Sequence, residues 1–271
     1  MVGYQLSGNV INFIGYGYFK KIFPNDLSEK ASSFKTDRKF EFKQITQHVS
    51  YLALPSFDIR YADTISRILN DAKTIINKTD FLIVDLRDNG GGFSYVYSPL
   101  LPYIYTGPVS KPAFYMKASL NNSILYEKYI VNKFNDSSNL IVLNKLKQYT
   151  GRLVKIRDAD TIKFDEVKPK PVRVIFLVNK NTASAAEDLL LVARQSSKVV
   201  LAGQNTRGAF DHRDVLGARD IESAHYNFFC PVGKNIGRER IDNVGIRPNV
   251  IISLHVEDWV QFVVDHLINV K

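Results

Sequence analysis

Two short apolar runs constrain this chain more than any other feature. "DFLIVDLR" (80–87) and "VRVIFLV" (172–178) carry almost unbroken aliphatic sequence. A run of this length without polar alternation fits a strand buried on both faces, as in a parallel sheet covered by helices. Ahead of the first run, "HVSYLALPSF" reads as a strand that stops at Pro55. Between them, Ile65, Ile68, Leu69, Ala72, Ile75 and Ile76 fall at helical spacing with a polar opposite face. Strand, amphipathic helix and buried strand in that order make a βαβ unit, with a right-handed crossover as the default. The second run opens another such half, followed by a helix in "SAAEDLLLVARQSS" and a strand in "KVVLAG". The expected fold is α/β with βαβ units and a mostly parallel sheet.

The remaining segments are less regular. "SAHYNFFCPVG" reads as an antiparallel or edge strand, "GIRPNVIISL" as a turn into a short strand, and "VEDWVQFVVDHLINV" as a closing amphipathic helix. Residues 107–170 fit an inserted helical and β-hairpin segment. Residues 1–46 are weakly patterned, with a short strand or hairpin in "NVINFIGYGYF" and a polar linker in "NDLSEKASSFKTDRK". We therefore expect an N-terminal segment and linker over 1–46 and a core over 47–271.

Composition removes several function classes. With 271 residues, 45% of them hydrophobic, the chain can bury a full core. The net charge is +9, but Lys and Arg are scattered, and the densest patches, "YFKKIF" and "VKPKPVR", lack the interleaving of a single-strand binder. No nucleic-acid partner is expected. Cys230 is the single cysteine, so no intrachain disulfide forms and cysteine usage does not report the compartment. The five histidines are dispersed without metal-ligand spacing, so no metal site and no cofactor is expected. No apolar stretch reaches the ~18 residues of a spanning helix. The N-terminus has no basic region ahead of its apolar part, so no signal peptide is read there.

Ser184 stands where the second apolar run hands over to its helix. Ser184-Ala185-Ala186-Glu187 matches S-x-x-E, the capping box, and a serine at a helix start commonly satisfies an orphan backbone N–H. A nucleophile profits from the same place, because free N–H groups and the helix dipole favour a developing oxyanion. The G-x-S-x-G elbow of α/β-hydrolases is absent. The first run ends in "DNGGG", where Gly90, Gly91 and Gly92 let backbone amides face outward. Open α/β sheets bind ligands at such strand ends; a flexible turn is the plainer reading. No nucleotide-loop pattern is present.

Four blocks taken together resemble a known family. "FLIVDLRDNGGG", "VIFLVNKNTASAAEDLLLVAR", "VVLAGQNTRG" and "IDNVGIRPNVII" occur in that order over about residues 48–254. They are similar to the signature blocks of the tail-specific (C-terminal processing) serine proteases, which share a ClpP/crotonase-like α/β core. The resemblance implies a peptidase that acylates Ser184, with the Ala185 amide and one from Gly90 or Gly91 as oxyanion donors. It further implies a peptide or protein substrate, no cofactor, a possible oligomer, and a periplasmic or exported location that the chain itself does not reveal.

The resemblance also bears on the base. One branch of the family uses a lysine, but Ala209 stands at that position and the neighbouring Arg207 stays protonated at any working pH. The pattern is closer to the tricorn-core-like branch, with a Ser-His-acid arrangement. Asp242 occupies the acid position, where the family usually has Glu. The upstream D-G-H-T/S block that carries the family's histidine is not found, which implies that the N-terminal part of the family pattern is missing. His212 is the best substitute base and His225 the second, whereas His48, His255 and His266 look peripheral. Glu187, Asp85 and Arg87 read as scaffold. A degenerate peptide- or ligand-binding relative is the alternative, and a crotonase-like acyl-CoA enzyme a third reading.

Overall fold

The computed structural model describes residues 38–134, 136–217, 229–237 and 239–269, and the backbone alone of 4–7, 10–13, 17–21, 218–219 and 226–228. They divide into two compact units. The larger comprises described residues of 32–111, 161–210 and 243–271; the smaller, those of 1–31, 112–160 and 211–242.

The larger unit is built on a six-stranded sheet. Its strands are β1 (Glu41–Gln44), β2 (Val49–Ala53), β3 (Phe81–Asp85), β4 (Arg173–Val178), β5 (Val199–Gly203) and β6 (Val250–Ile251), adjacent in that order. All neighbours from β2 to β6 run parallel, and β1 pairs antiparallel on the edge. β3 and β4 are buried along nearly their whole length, as two-sided burial requires. β1 was not evident from patterning. "EFKQ" is mostly exposed and charged, and pairing with β2 rather than apolar alternation makes it a strand.

Helix α1 (Ala62–Ile76) links β2 to β3 and buries Ile65, Leu69, Ala72 and Ile76, while Ile68 and Ile75 are half-buried beside them. Helix α2 (Ala185–Ala193) follows β4, and all nine of its residues are buried. Apart from Glu187 and Asp188 in its first turn the helix is apolar on every side, as suits one inside the molecule. The closing helix α3 (Trp259–Val263) starts at Asp258, whose carboxylate accepts from the Val260 and Gln261 amides, and widens into a π-type turn over Val264–Ile268. Trp259, Val263 and Val264 pack with Tyr51, Ile83, Ile175 and Leu177 across the sheet.

This topology positions the site. In the parallel register Asp85 lies opposite Leu177, so the carboxyl ends of β3 and β4 are neighbours. The glycine run leaves one end and the Ser184 turn leaves the other.

In the smaller unit a four-stranded antiparallel sheet orders His212–Arg213, Gly233–Ile236, Ala113–Lys117 and Leu153–Arg157. Helices Leu120–Tyr126 and Ser137–Gln148 share its core through Tyr126, Leu143 and Leu146, packed with Phe114 and Met116. A five-stranded antiparallel sheet includes Tyr226–Phe229, which pairs antiparallel with both Gly17–Lys21 and Ala218–Arg219. Among the described residues no helix is long and apolar enough to cross a membrane.

Candidate active site

Ser184 is held in a backbone conformation that an ordinary helix cap does not adopt. Its φ is 55° and ψ −119°, whereas capping residues take extended geometry. Positive φ in a residue with a Cβ costs about 1–3 kcal/mol and persists where surrounding structure fixes it. Several bonds fix it here. The Thr182 hydroxyl donates to Leu86 O at 2.9 Å, the Ala183 N–H donates to Asn89 O at 2.9 Å, and the Asp188 N–H donates to Ser184 O at 2.9 Å. The Ser184 N–H donates to Glu187 Oε2 at 3.1 Å, half of the capping box. The Ser184 side chain in turn faces the Glu187 N–H, the other half of the box.

The glycine loop lies directly against this turn. A Cβ on Gly91 would sit 2.6 Å from Ser184 Cβ and 2.8 Å from both Ala183 O and Ala185 N. With φ at +98°, Gly91 is needed for both conformation and clearance. Gly91→Ala is expected to cost about 1–3 kcal/mol of folding stability through overpacking and backbone strain. Urea unfolding measures it, and an unchanged midpoint would mean that this contact is slack.

Asn89, fully buried, organises the loop. Its Oδ1 accepts the Gly91 N–H at 2.9 Å and its Nδ2 donates to Leu54 O at 2.8 Å. Of the two glycine amides, Gly91 is thus bonded to Asn89, while Gly90 N–H has no acceptor among the described residues. The Ala185 N–H, at the first helical position of α2, has none either. Asp88 pins the loop from outside, accepting from Asn179 Nδ2 at 2.9 Å and Asn181 Nδ2 at 2.8 Å. Burial works against its charge, but the bonds from Asn181, Asn179 and Arg38 hold the Asp88 carboxyl below its ordinary value. Beneath the loop Asp85 accepts from Arg87 Nε at 2.9 Å and Tyr51 OH at 2.9 Å, and the Arg87 guanidinium lies 5.1 Å over the Trp259 ring. These are the scaffold contacts expected of Asp85 and Arg87.

Glu187 does more than cap. It is fully buried and accepts four bonds: from Ser184 N, from Thr206 Oγ1 at 2.5 Å, from Gly208 N at 2.7 Å and from Ala209 N at 2.9 Å. Burial pushes its carboxyl above the ordinary glutamate value, with the four donors pulling the other way. Thr206 Oγ1 in turn accepts the Ile246 N–H at 2.7 Å, and the Asn243 N–H donates to Gly208 O at 2.8 Å. One carboxylate thereby joins the serine turn to segment 206–209. The capping-box spacing marks Glu187 at sequence level, but no local pattern announces its three distant donors.

In the smaller unit, His212 and Asp242 are paired. His212 Nδ1 lies 2.7 Å from Asp242 Oδ2, and both side chains are largely buried. Asp242 also accepts the Asp211 N–H at 2.6 Å on Oδ1 and the His212 N–H at 3.0 Å on Oδ2. Asp211 returns the clasp, accepting from Ile241 N at 2.6 Å and Asp242 N at 2.9 Å. Sequence reasoning named His212 and Asp242 separately and missed Asp211, which has no signature beyond standing next to His212. His225 lies outside the described residues. His48 is an exposed partner of Asp80 at 2.6 Å, His255 is exposed, and His266 Nδ1 sits 3.0 Å from Phe262 O on the exposed side of the closing helix.

The fold is similar to that of mature CPAF, with a TM-score of 0.50 and 16% identity over 75% of this chain and 46% of that one. It is likewise similar to a point mutant of CPAF, with a TM-score of 0.54 and 14% identity over 87% and 48% of the two chains. The chain spans about half the length of these structures. No curated protein matches the sequence. The mixed α/β core with its mostly parallel sheet is ClpP/crotonase-like. Residues 48–252, about three quarters of the chain, match the family model described as peptidase family S41, and the chain belongs to that family.

Proposed function

We propose that this chain is the catalytic part of a serine peptidase of the tail-specific kind, in the branch that uses a serine, a histidine and an acid. The observation that carries this reading is the strained Ser184 backbone at a strand–turn–helix junction, packed on a glycine loop. Ser184 Oγ attacks the carbonyl carbon of a peptide bond, and its proton passes to His212. The oxyanion is held by the Ala185 N–H and the Gly90 N–H. The C–N bond breaks as the proton moves on to the leaving amine. Water then releases the acyl group by the same steps in reverse order. Asp242 orients His212 and stabilises the imidazolium.

Chain connectivity supports His212 as the base. It stands three positions after Ala209, a covalent reach of about 11 Å at most. Asn243, next to Asp242, is bonded to Gly208. Ala209, at the position where the other branch has lysine, supplies only its N–H to this arrangement.

Labelling with a fluorophosphonate probe tests the proposal. We expect Ser184 to be phosphonylated and the label to be absent in Ser184→Ala. A folded protein that never labels would leave a peptide-binding relative without acyl chemistry.

A further inference from the structure

Two aromatic side chains leave the glycine loop exposed. Phe93 and Tyr95 keep 39% and 50% of their surface in water, with ring centroids 5.9 Å apart. The segment that carries them is not loose. Between them Ser94 Oγ donates to Asp188 Oδ2 at 2.8 Å, and Tyr97 OH donates to the same oxygen at 2.7 Å. Asp188 is one helical turn after Ser184 and is bonded to it through the backbone. Val96, Tyr97 and Leu100 are buried, and Tyr97 packs edge-on against Phe57 at 5.6 Å. Phe93 N–H donates to Phe57 O at 2.8 Å, two residues beyond Gly91. A rigid element thus presents two apolar rings from the loop that touches the nucleophile, hung on the helix that the nucleophile starts.

We propose that Phe93 and Tyr95 form a specificity shelf for the side chain of the residue whose carbonyl Ser184 attacks, and that the shelf takes an aromatic or large aliphatic side chain. This rests on the acyl-enzyme reading above and adds the substrate class. The carbonyl-bearing residue is the part of a substrate nearest the glycine loop, so its side chain is the one that two rings leaving that loop can meet. Rings offer stacking and edge contacts to such a side chain and nothing to a glycine or a carboxylate. A hydrophobic contact of this kind discriminates by about 10–200-fold.

The experiment is protection of Ser184 from a fluorophosphonate by two peptide aldehydes, acetyl-dialanyl-phenylalaninal and acetyl-dialanyl-glycinal. Each forms a reversible hemiacetal: Ser184 Oγ bonds to the aldehyde carbon and the hydroxyl proton passes to the aldehyde oxygen. In the native chain the phenylalaninal should protect at about 10–200-fold lower concentration. Phe93→Ala/Tyr95→Ala should still label without inhibitor, and the two aldehydes should then protect about equally. If the double variant does not label, Phe93→Ser and Tyr95→Ser made singly carry the same comparison, each expected to reduce the ratio. No preference in the native chain, or a ratio that survives the substitutions, overturns the shelf alone. Absence of label on native Ser184 would instead sink the acyl-enzyme reading itself.

Discussion

Replacing His212 by alanine is expected to lower peptide turnover on the order of 10⁴- to 10⁶-fold, measured with a quenched fluorescent peptide. A serine hydroxyl is a weak nucleophile until a base takes its proton, and the loss of either member of such a pair costs nearly as much as the loss of both. Ser184→Ala/His212→Ala should therefore be little worse than either single change. Asp242→Asn should cost about 10⁴-fold by a different route. In the native pair the carboxylate accepts from the ring at Nδ1, which leaves Nε2 as the acceptor a base needs. An amide at position 242 can offer one oxygen, and the Asp211 and His212 backbone N–H groups compete for it. Its NH₂ then faces Nδ1, which must accept, so the ring proton moves to Nε2 and the imidazole can no longer act. Turnover by His212→Ala at the native rate would assign the base to another group.

The parts of this arrangement differ in how far they could be read from sequence, for physical reasons. β3 and β4 were plain because burial on both faces writes itself as an unbroken apolar run. Helix α1 was plain because one buried face repeats at 3.6 residues. β1 was not, since an edge strand owes its existence to its neighbour's hydrogen bonds. Ser184 was ambiguous because S-x-x-E is compatible with a cap and with a nucleophile. The backbone angle that bears on the choice is held by distant contacts and leaves no local pattern. The same holds for Asp211 and Asp242, whose mutual clasp joins positions thirty-one apart. Asn89 was visible as one letter of a block, yet its work on Gly91 and Leu54 depends on where the chain folds back. The exposed pair Phe93 and Tyr95 is invisible to patterning, because a surface aromatic and a core aromatic are spelled alike.

Glu187→Ala is expected to destabilise the fold by about 3–5 kcal/mol in urea unfolding, more than any other single change at the site. The methyl group removes the acceptor of three backbone N–H groups and of the Thr206 hydroxyl at once. An unsatisfied buried donor costs about 1–3 kcal/mol, but the four are neighbours and their penalties do not add. Water entering the vacated space recovers part of the loss, which places the sum near the figure for breaking a buried charged network. Thr206 is coupled further, because its hydroxyl also accepts the Ile246 N–H, and a Cβ on Gly245 would lie only 2.2 Å from Thr206 O. Glu187→Gln keeps the shape and one oxygen and should cost about 1–3 kcal/mol, since its NH₂ faces N–H groups that it cannot accept from. Both variants should also slow fluorophosphonate labelling, because the Ser184 N–H loses the contact that helps hold its strained backbone. If Glu187→Ala cost under about 1 kcal/mol, the size of an ordinary exposed cap, the carboxylate would be a cap and nothing more. Segment 206–209 would then need another anchor beside Ser184.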